Sequence, residues 1–292
     1  IYRACTPGTH HHHLICRNCG LTVEIEADAV EQWAKTVAAT HGFRSVSVLP
    51  RSSRRGRPTL GLAGFGSDER RRPRCAVEVA SGGRFTCARR ASGGVWCWGV
   101  NQYGELGHGR PPGDGDFRAT PIRVNNIPAA EEIAGGLFHA CARIADGTMK
   151  CWGYDHHGQL GGSSGSGGVV DVTGMDDAAS IGVGGNASCA RNIEGELRCW
   201  GAAVQVGRGV HNAADSYVPT LMTGIPPSAA VYLGSSSTCS RGTDGSMACW
   251  GFNSSGELGI PFVTRRSEPT PIPTLVGATA IVQGEEHACA VT

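Results

Sequence analysis

The chain has 292 residues, a formal net charge of +1 and 17% charged residues. A balance this close to neutral predicts neither a nucleic-acid nor a membrane-surface partner from global electrostatics. No apolar run approaches the ~18 residues of a membrane-crossing helix, and the 44 glycines and 15 prolines suit many short strands and tight turns more than long helices. The chain opens on Ile1, with no initiator methionine and no signal-like segment, as a piece of something longer would. Its 13 cysteines fall into two classes by spacing. Cys5, Cys16 and Cys19 sit among histidines and read as metal ligands. Cys87/Cys97, Cys141/Cys151, Cys189/Cys199 and Cys239/Cys249 are pairs ten residues apart and read as disulfides, with Cys75 and Cys289 left over. The two readings favour different compartments. Disulfides persist where conditions oxidise, which suggests a secreted or cell-surface setting, whereas thiolate sites suggest the cytoplasm.

In chain order, the histidine run His10–His13 comes first, followed by Cys16-Arg17-Asn18-Cys19-Gly20. A run of four between Cys5 and a Cys-x-x-Cys reads as ligand rather than as an expression tag. In a strand, His11 and His13 share one face and His10 and His12 the other. Neutral imidazole with thiolate suits zinc or a similar borderline metal, so one short strand can serve two metal sites. Leu21–Ile25 alternates apolar and polar residues and predicts a strand. Asp28 with Glu31 three residues on is a capping-box pattern that opens a helix. Val30, Trp33, Ala34, Val37 and Ala38 form its apolar stripe, and Gly42 ends it. Phe43–Val48 predicts a further strand.

This order resembles the C-terminal half of the ferric and zinc uptake regulators, particularly the zinc-sensing type. Tyr2-Arg3, Cys5, the histidine run, Cys16-x-x-Cys19-Gly20, Glu31, Trp33 and His41-Gly42-Phe43 carry the resemblance. Those proteins are dimeric, metal-gated DNA-binding repressors. The resemblance implies that Cys16 and Cys19 are half of a structural zinc site, that Cys5, His11 and His13 belong to a sensing site, and that His10, His12 and Glu31 belong to a third. It stops at Val48, before the ligand histidine and second Cys-x-x-Cys that the family expects, so the structural site has two ligands of four. The winged helix that reads DNA is not in this sequence, so no autonomous DNA recognition is expected. The shortened sheet disfavours a homodimer.

Residues 50–74 are rich in Gly, Pro, Ser and Arg, with Arg51, Arg54, Arg55, Arg57, Arg70, Arg71, Arg72 and Arg74. This reads as a disordered basic linker; a nucleic-acid patch would want interleaved aromatics, and Phe65 stands alone. Because the regulator-like pattern breaks off just before it, the expectation is two modules joined by a frame error, rearrangement or misassembly.

From Cys75 on, the chain repeats itself. Cys-Trp-Gly recurs at Cys97, Cys151, Cys199 and Cys249, at steps of 54, 48 and 50 residues, a period of solenoids or propellers. Each unit has a Gly-rich turn, a Cys-Ala or Cys-Ser strand, a short turn and then the Cys-Trp-Gly strand. Pairing Cys141 with Cys151 centres a hairpin on Asp146 and leaves a three-residue loop with Gly147 third, where a left-handed backbone is needed. All four units obey the same arithmetic, which sets the cysteines of each pair opposite one another on adjacent antiparallel strands, within bridging range. The tryptophan after each second cysteine offers a large apolar surface to bury between blades. Four strands per ~50 residues is the economy of a propeller blade.

Trp98–Gly107 (WGVNQYGELG), Trp152–Gly161 (WGYDHHGQLG) and Trp250–Gly259 (WGFNSSGELG), with Gly-x-x-His-x-Cys-Ala around Cys141 and Cys289, resemble the repeat of the regulator of chromosome condensation. The segment Trp200–Gly209 (WGAAVQVGRG) departs from the pattern. The resemblance covers about three-quarters of the chain and implies a propeller, and the cysteine-paired variety resembles bacterial secreted or cell-surface members. Family propellers close with seven blades, whereas this sequence ends within its fifth unit, so a fragment or missing terminal residues are expected.

The expected fold is therefore mainly β: an incomplete β-propeller of four blades and part of a fifth, with a small α+β segment ahead of it. Zinc is the metal expected in the N-terminal segment, and no cofactor is expected for the repeats. A protein partner on a propeller face is the expected ligand. No nucleophile–base pair or complete metal site can be named, so the repeats read as a binding scaffold and not an enzyme. The alternative is a zinc- or iron-responsive transcriptional regulator, represented by its metal-binding remnant.

Overall fold

The computed structural model describes residues 11–15, 22–26, 76–109, 116–162, 168–207, 214–261 and 263–292. The chain divides into two compact units, residues 1–75 and 76–292. In the first, β1 (His11–Ile15) pairs antiparallel with β2 (Thr22–Glu26), His12 standing opposite Ile25. The strand expected at Leu21–Ile25 is thus present one residue further on, and His11, His12 and His13 of the histidine run lie in a strand. The helix expected from Asp28, the strand expected at Phe43–Val48 and the basic segment lie outside the described residues.

The second unit is a series of antiparallel blades. The first is β3 (Ala76–Ser81), β4 (Phe85–Arg90), β5 (Val95–Val100) and β6 (Phe117–Arg123), paired in that order. The second is β7 (Ala130–Gly135), β8 (His139–Ile144), β9 (Met149–Gly153) and β10 (Val169–Asp171). The third is β11 (Ser180–Gly184), β12 (Ala187–Arg191), β13 (Leu197–Gly201) and β14 (Ser216–Leu221). The fourth is β15 (Ser228–Leu233), β16 (Ser237–Gly242), β17 (Met247–Phe252) and β18 (Arg265–Pro271). A 3-10 turn at Pro273–Leu275 leads to the two-stranded sheet of β19 (Ala280–Gln283) and β20 (Ala288–Val291). In every blade the turn between the first two strands and the loop between the last two share one end of the propeller, called here the upper end. The tight hairpin between the second and third strands lies at the lower end.

The middle strands of the second, third and fourth blades are buried on both faces, because each of these blades has a sheet on either side, whereas β4 and β5 of the first blade alternate buried and half-buried residues. In β8, five of the six residues are buried. That is why these strands read as near-continuous apolar and small residues rather than as a strict alternation. Each hairpin has the register predicted from spacing, Cys87 opposite Cys97, Cys141 opposite Cys151, Cys189 opposite Cys199 and Cys239 opposite Cys249. Gly147 closes its three-residue loop with φ +85°, and its N–H donates to Ile144 O at 3.0 Å. A Cβ there would lie 2.6 Å from Asp176 O of the connection into the third blade. Glycine is thus required twice, by the left-handed backbone and by the close approach. The Gly147 carbonyl in turn accepts the Ala178 N–H at 3.0 Å, and the equivalent bond recurs from Ala130 to Gly93 and from Ser228 to Gly195.

A second link between blades runs through tryptophan. Trp152, Trp200 and Trp250 are each 0% exposed. Their indole N–H groups donate to the loop carbonyls of the preceding blade: to Glu105 at 2.8 Å, Gln159 at 2.9 Å and Gln205 at 2.7 Å. Burying so large a side chain without a partner for its N–H would be costly. Trp152 joins Phe85, Leu106 and Val124 of the first blade in one core cluster. The sheet side opposite the tryptophan presents the cysteine pair, so each of the three seams between full blades sets the sulfurs of one blade against the indole side of the next. Trp98 has no preceding blade among the described residues and is only half-buried.

Candidate functional site

The upper-end loops after each Trp-Gly are built by side chains that satisfy the loop's own backbone. In the first blade Asn101 Oδ1 accepts the Leu106 N–H at 3.0 Å, and Glu105 Oε2 accepts the Tyr103 N–H at 2.7 Å. Asp155 and Gln159 do the same in the second blade, accepting from Leu160 at 3.0 Å and His157 at 2.9 Å. Asn253 and Glu257 repeat it in the fourth, at 2.8 Å and 3.0 Å. Burial pushes the Glu105 carboxyl above its ordinary range, even though its backbone hydrogen bonds pull it down. The Asp155 carboxyl is likewise raised by burial against the Leu160 bond.

The third blade departs from this rule, and the structure shows how. Gln205 occupies the position of Glu105 and Gln159, since its carbonyl takes the next tryptophan, but it follows Trp200 by five residues instead of seven. The motif has lost two residues and ends at Gly207 (φ +63°), not at Gly209 as the sequence pattern suggests. The capping Asn/Asp is gone, and Val206 N–H instead donates to Ala202 O at 3.1 Å. The Gln205 side chain instead bridges two turns, accepting the Asn186 N–H of its own blade at 2.9 Å and donating to Gly234 O of the fourth blade at 3.3 Å. Beside the shortened loop lies a cleft of about 390 Å³, lined by His157, Asn186, Asp215, Ser236, Phe252 and Arg265 among others. Within it His157 Nδ1 and Asp215 Oδ2 lie 2.8 Å apart, and Asp215 Oδ1 accepts the Ala203 N–H at 2.9 Å.

An aromatic row leads to this cleft. Tyr103, Phe138 and Tyr154 form a triangle with centroid distances of 5.3, 4.5 and 6.1 Å. His156 stacks on Tyr154 at 6.0 Å and meets His157 edge-on at 5.1 Å. The Tyr217 hydroxyl donates to His156 O at 3.1 Å while its ring stays exposed. These residues come from three blades but all lie in upper-end loops or at the strand ends beside them. Part-exposed aromatic rings held by backbone-capped loops are rigid, amphipathic contact surface, with little side-chain entropy left to lose on binding.

The one histidine–serine contact among the described residues is His139 Nε2 to Ser188 Oγ, 2.9 Å. Ser188 Oγ in turn donates to Gln159 O at 3.0 Å. Its hydroxyl proton is therefore committed to a carbonyl, and Nε2 must carry the proton it shares. Both side chains are 0% exposed, so no substrate can reach them. The pair is a structural link across a seam and not a nucleophile with its base.

All eight paired cysteines are buried to 0–1% exposure, bonded in their four pairs, with Cα atoms 4.1 Å apart in each. That separation suits the closer, non-hydrogen-bonded positions of an antiparallel ladder. Cys289 is free and exposed. Of the expected metal ligands, His11, His12 and His13 fall on β1, opposite Glu26, Ile25 and Glu24. Cys5, His10, Cys16, Cys19 and Glu31 lie outside the described residues. Asp177, Glu194 and Glu196 cluster at the surface, where Asn192 Nδ2 donates to all three and Arg198 pairs with two. No helix among the described residues is long and apolar enough to cross a membrane.

The second unit is thus a β-propeller of stapled, four-stranded blades. The model of the regulator of chromosome condensation repeat matches residues 92–143 and 244–291, and a second model of that repeat matches 76–105 and 131–159. Residues 76–292 are a repeat propeller of that type, and residues 1–49 match the ferric uptake regulator family. An RCC1 domain-containing protein of Arabidopsis thaliana, RUG3, mitochondrial, is 36% identical over 88 residues, which is 30% of this chain and 19% of that one. The zinc uptake regulation protein of Mycobacterium tuberculosis is 53% identical over 47 residues, 16% of this chain and 35% of that one. This chain therefore spans well under half of either relative. The crystal structure of Prp20p from Saccharomyces cerevisiae superposes with a TM-score of 0.65 at 22% identity, over 74% of this chain and 55% of that one, which establishes the fold. None of the matched families is a catalytic one.

Burial holds the His139 imidazole far below its ordinary range, at about 3. Between the ordinary histidine value and that one, the unfolded chain takes up a proton that the folded chain does not. Stability contributed by neutral His139 is therefore complete above about pH 6.5 and drains as pH falls toward 3, by up to about 1.4 kcal/mol per pH unit. His139→Phe, which places the residue of the equivalent first-blade position (Phe85) there, is expected to flatten this acid limb. Urea unfolding from pH 7 to pH 4 checks it, and equal slopes for the two proteins would refute it.

Proposed function

We propose that residues 76–292 act as a non-enzymatic, disulfide-stapled scaffold that binds a protein partner through the upper end. The observation that carries this reading is the aromatic row from Tyr103 to His156, running into the cleft beside the third-blade loop. Aromatic side chains in well-packed surroundings are the residues on which binding energy concentrates. The family supports the reading as well: the Prp20p structure is described with that protein's binding to Gsp1p and histones. Neither partner is carried over, because 22% identity transfers fold and not recognition. The scaffold needs no cofactor in this account. Panning a random peptide display library on the folded chain tests it. Selected peptides are expected to lose at least about tenfold in affinity on Tyr154→Ala, a loss of roughly 1.4 kcal/mol or more. Peptides that bind the variant as well as the original would place the binding surface elsewhere.

A second reading concerns residues 1–49, where 53% identity to a zinc uptake regulation protein favours metal binding. We propose zinc as the ion. Cys5, His11 and His13 serve one site, His10, His12 and Glu31 another, and Cys16 and Cys19 supply thiolates to a third, with residues 50–74 as the linker to the propeller. Cobalt titration of the reduced full chain tests this. Thiolate-to-cobalt absorption that zinc abolishes is the expected result; its absence would remove the metal reading.

A further inference from the structure

Each of the four full blades carries an arginine two residues after its first cysteine: Arg89, Arg143, Arg191 and Arg241. All four sit near the lower end, facing the seam to the next blade. Strand register sets four different residues opposite them on the innermost strands: Glu78, Glu132, Ser180 and Ala230. In the first two blades the guanidinium finds its acid. Arg89 Nε donates to Glu78 Oε2 at 2.6 Å, and Arg143 Nε to Glu132 Oε2 at 3.2 Å. The same carboxylates also reach forward. Glu78 Oε1 accepts the Ile133 N–H of the second blade at 3.3 Å, and Glu132 accepts the Ile181 N–H of the third. One carboxylate per seam therefore joins a guanidinium to the backbone of the next blade.

In the third and fourth blades the arginine is kept and the acid is not. The Nε atoms of Arg191 and Arg241 are buried without a hydrogen-bond partner. Arg191 makes only a long Nη1 bond to Asn192 O, 3.4 Å. Arg241 makes none among the described residues. Both residues are half-buried. A partly desolvated guanidinium fork with an unused donor is a strong receptor for a carboxylate. Leaving it unmatched is costly. The two sister seams show which group fits: a carboxylate, held by Nε on one side and by an inner-strand N–H on the other.

We infer that the lower rim at the two seams bordered by Arg191 and Arg241 binds acidic side chains of a protein partner, each supplying the carboxylate that Glu78 and Glu132 supply internally. This site lies at the end opposite the aromatic row and stands or falls separately from it. The test uses the full chain and a fluorescent synthetic peptide of alternating Glu and Gly, with its Gln–Gly counterpart as reference. Three double variants are compared. S180E/A230E provides the carboxylates from the chain itself, R191Q/R241Q removes the receptors, and R84Q/R118Q removes the same charge at the upper end. The acidic peptide is expected to bind and the Gln peptide not to. S180E/A230E and R191Q/R241Q should each weaken binding by at least about tenfold, and R84Q/R118Q by no more than about twofold. S180E/A230E should also melt higher than the original chain, a result that shows the variant is folded and its new ion pairs formed. Any of three results would overturn the proposal: no binding of the acidic peptide, unchanged binding by S180E/A230E, or an equal loss in R84Q/R118Q, which would mark a diffuse charge effect.

Discussion

Everything in the propeller depends on the seam between blades, where an indole of one sheet lies against the cysteine-bearing side of the sheet before it. A four-stranded sheet of this size cannot bury its own faces, so each blade is stable only as a neighbour of another. The indole supplies the area, and its N–H must find an acceptor in the preceding blade's loop. That single requirement fixes the loop. A carbonyl has to stand where Glu105, Gln159 and Gln205 present theirs, and a glycine has to follow closely enough for the ring to pack. A Cβ on Gly161 would lie 2.6 Å from Trp200 Nε1. The third blade shows how far the rule stretches. Two residues can be lost from its loop, provided that the carbonyl and the glycine keep their places.

The cysteine pairs work on the other side of the same seam. The hairpin brings each pair together at no further conformational cost, since the register already sets the two residues opposite one another. Bridging so short a loop contributes about 2–4 kcal/mol by constraining the unfolded chain. The bridge also fills the seam with buried sulfur atoms that share a core cluster with the next blade's tryptophan.

The fold was legible because its signals recur. One Cys-Trp-Gly is weak, but four at near-constant steps with a turn glycine in register specify hairpin, loop length and cysteine pairing together. The shortened third loop was visible as irregularity but not as a deletion, because the sequence does not show which residue receives the next tryptophan. The aromatic row was not legible at all. Tyr103, Phe138, Tyr154 and Tyr217 are far apart in sequence, and only the stacking of blades brings them to one end. The unmatched arginines were hidden for a similar reason: Cys-x-Arg repeats plainly, but the missing acids show only once register pairs Arg191 with Ser180 and Arg241 with Ala230. In the N-terminal unit, β2 follows directly from alternation, whereas a ligand set depends on side chains converging from distant parts of the chain.

The central claim is that sulfur bridges hold each blade, and a cysteine count under denaturing conditions tests it most directly. Denaturant matters, because thiols buried to 0–1% exposure would resist reagent in the folded chain whether bonded or not. Alkylation of the unreduced, denatured chain, followed by intact mass, is predicted to modify five of the 13 cysteines, namely Cys5, Cys16, Cys19, Cys75 and Cys289. The other eight should react only after reduction and map to the four ten-residue pairs. Modification of all 13 without reduction would contradict the account, and would leave a propeller held by its tryptophan seams alone.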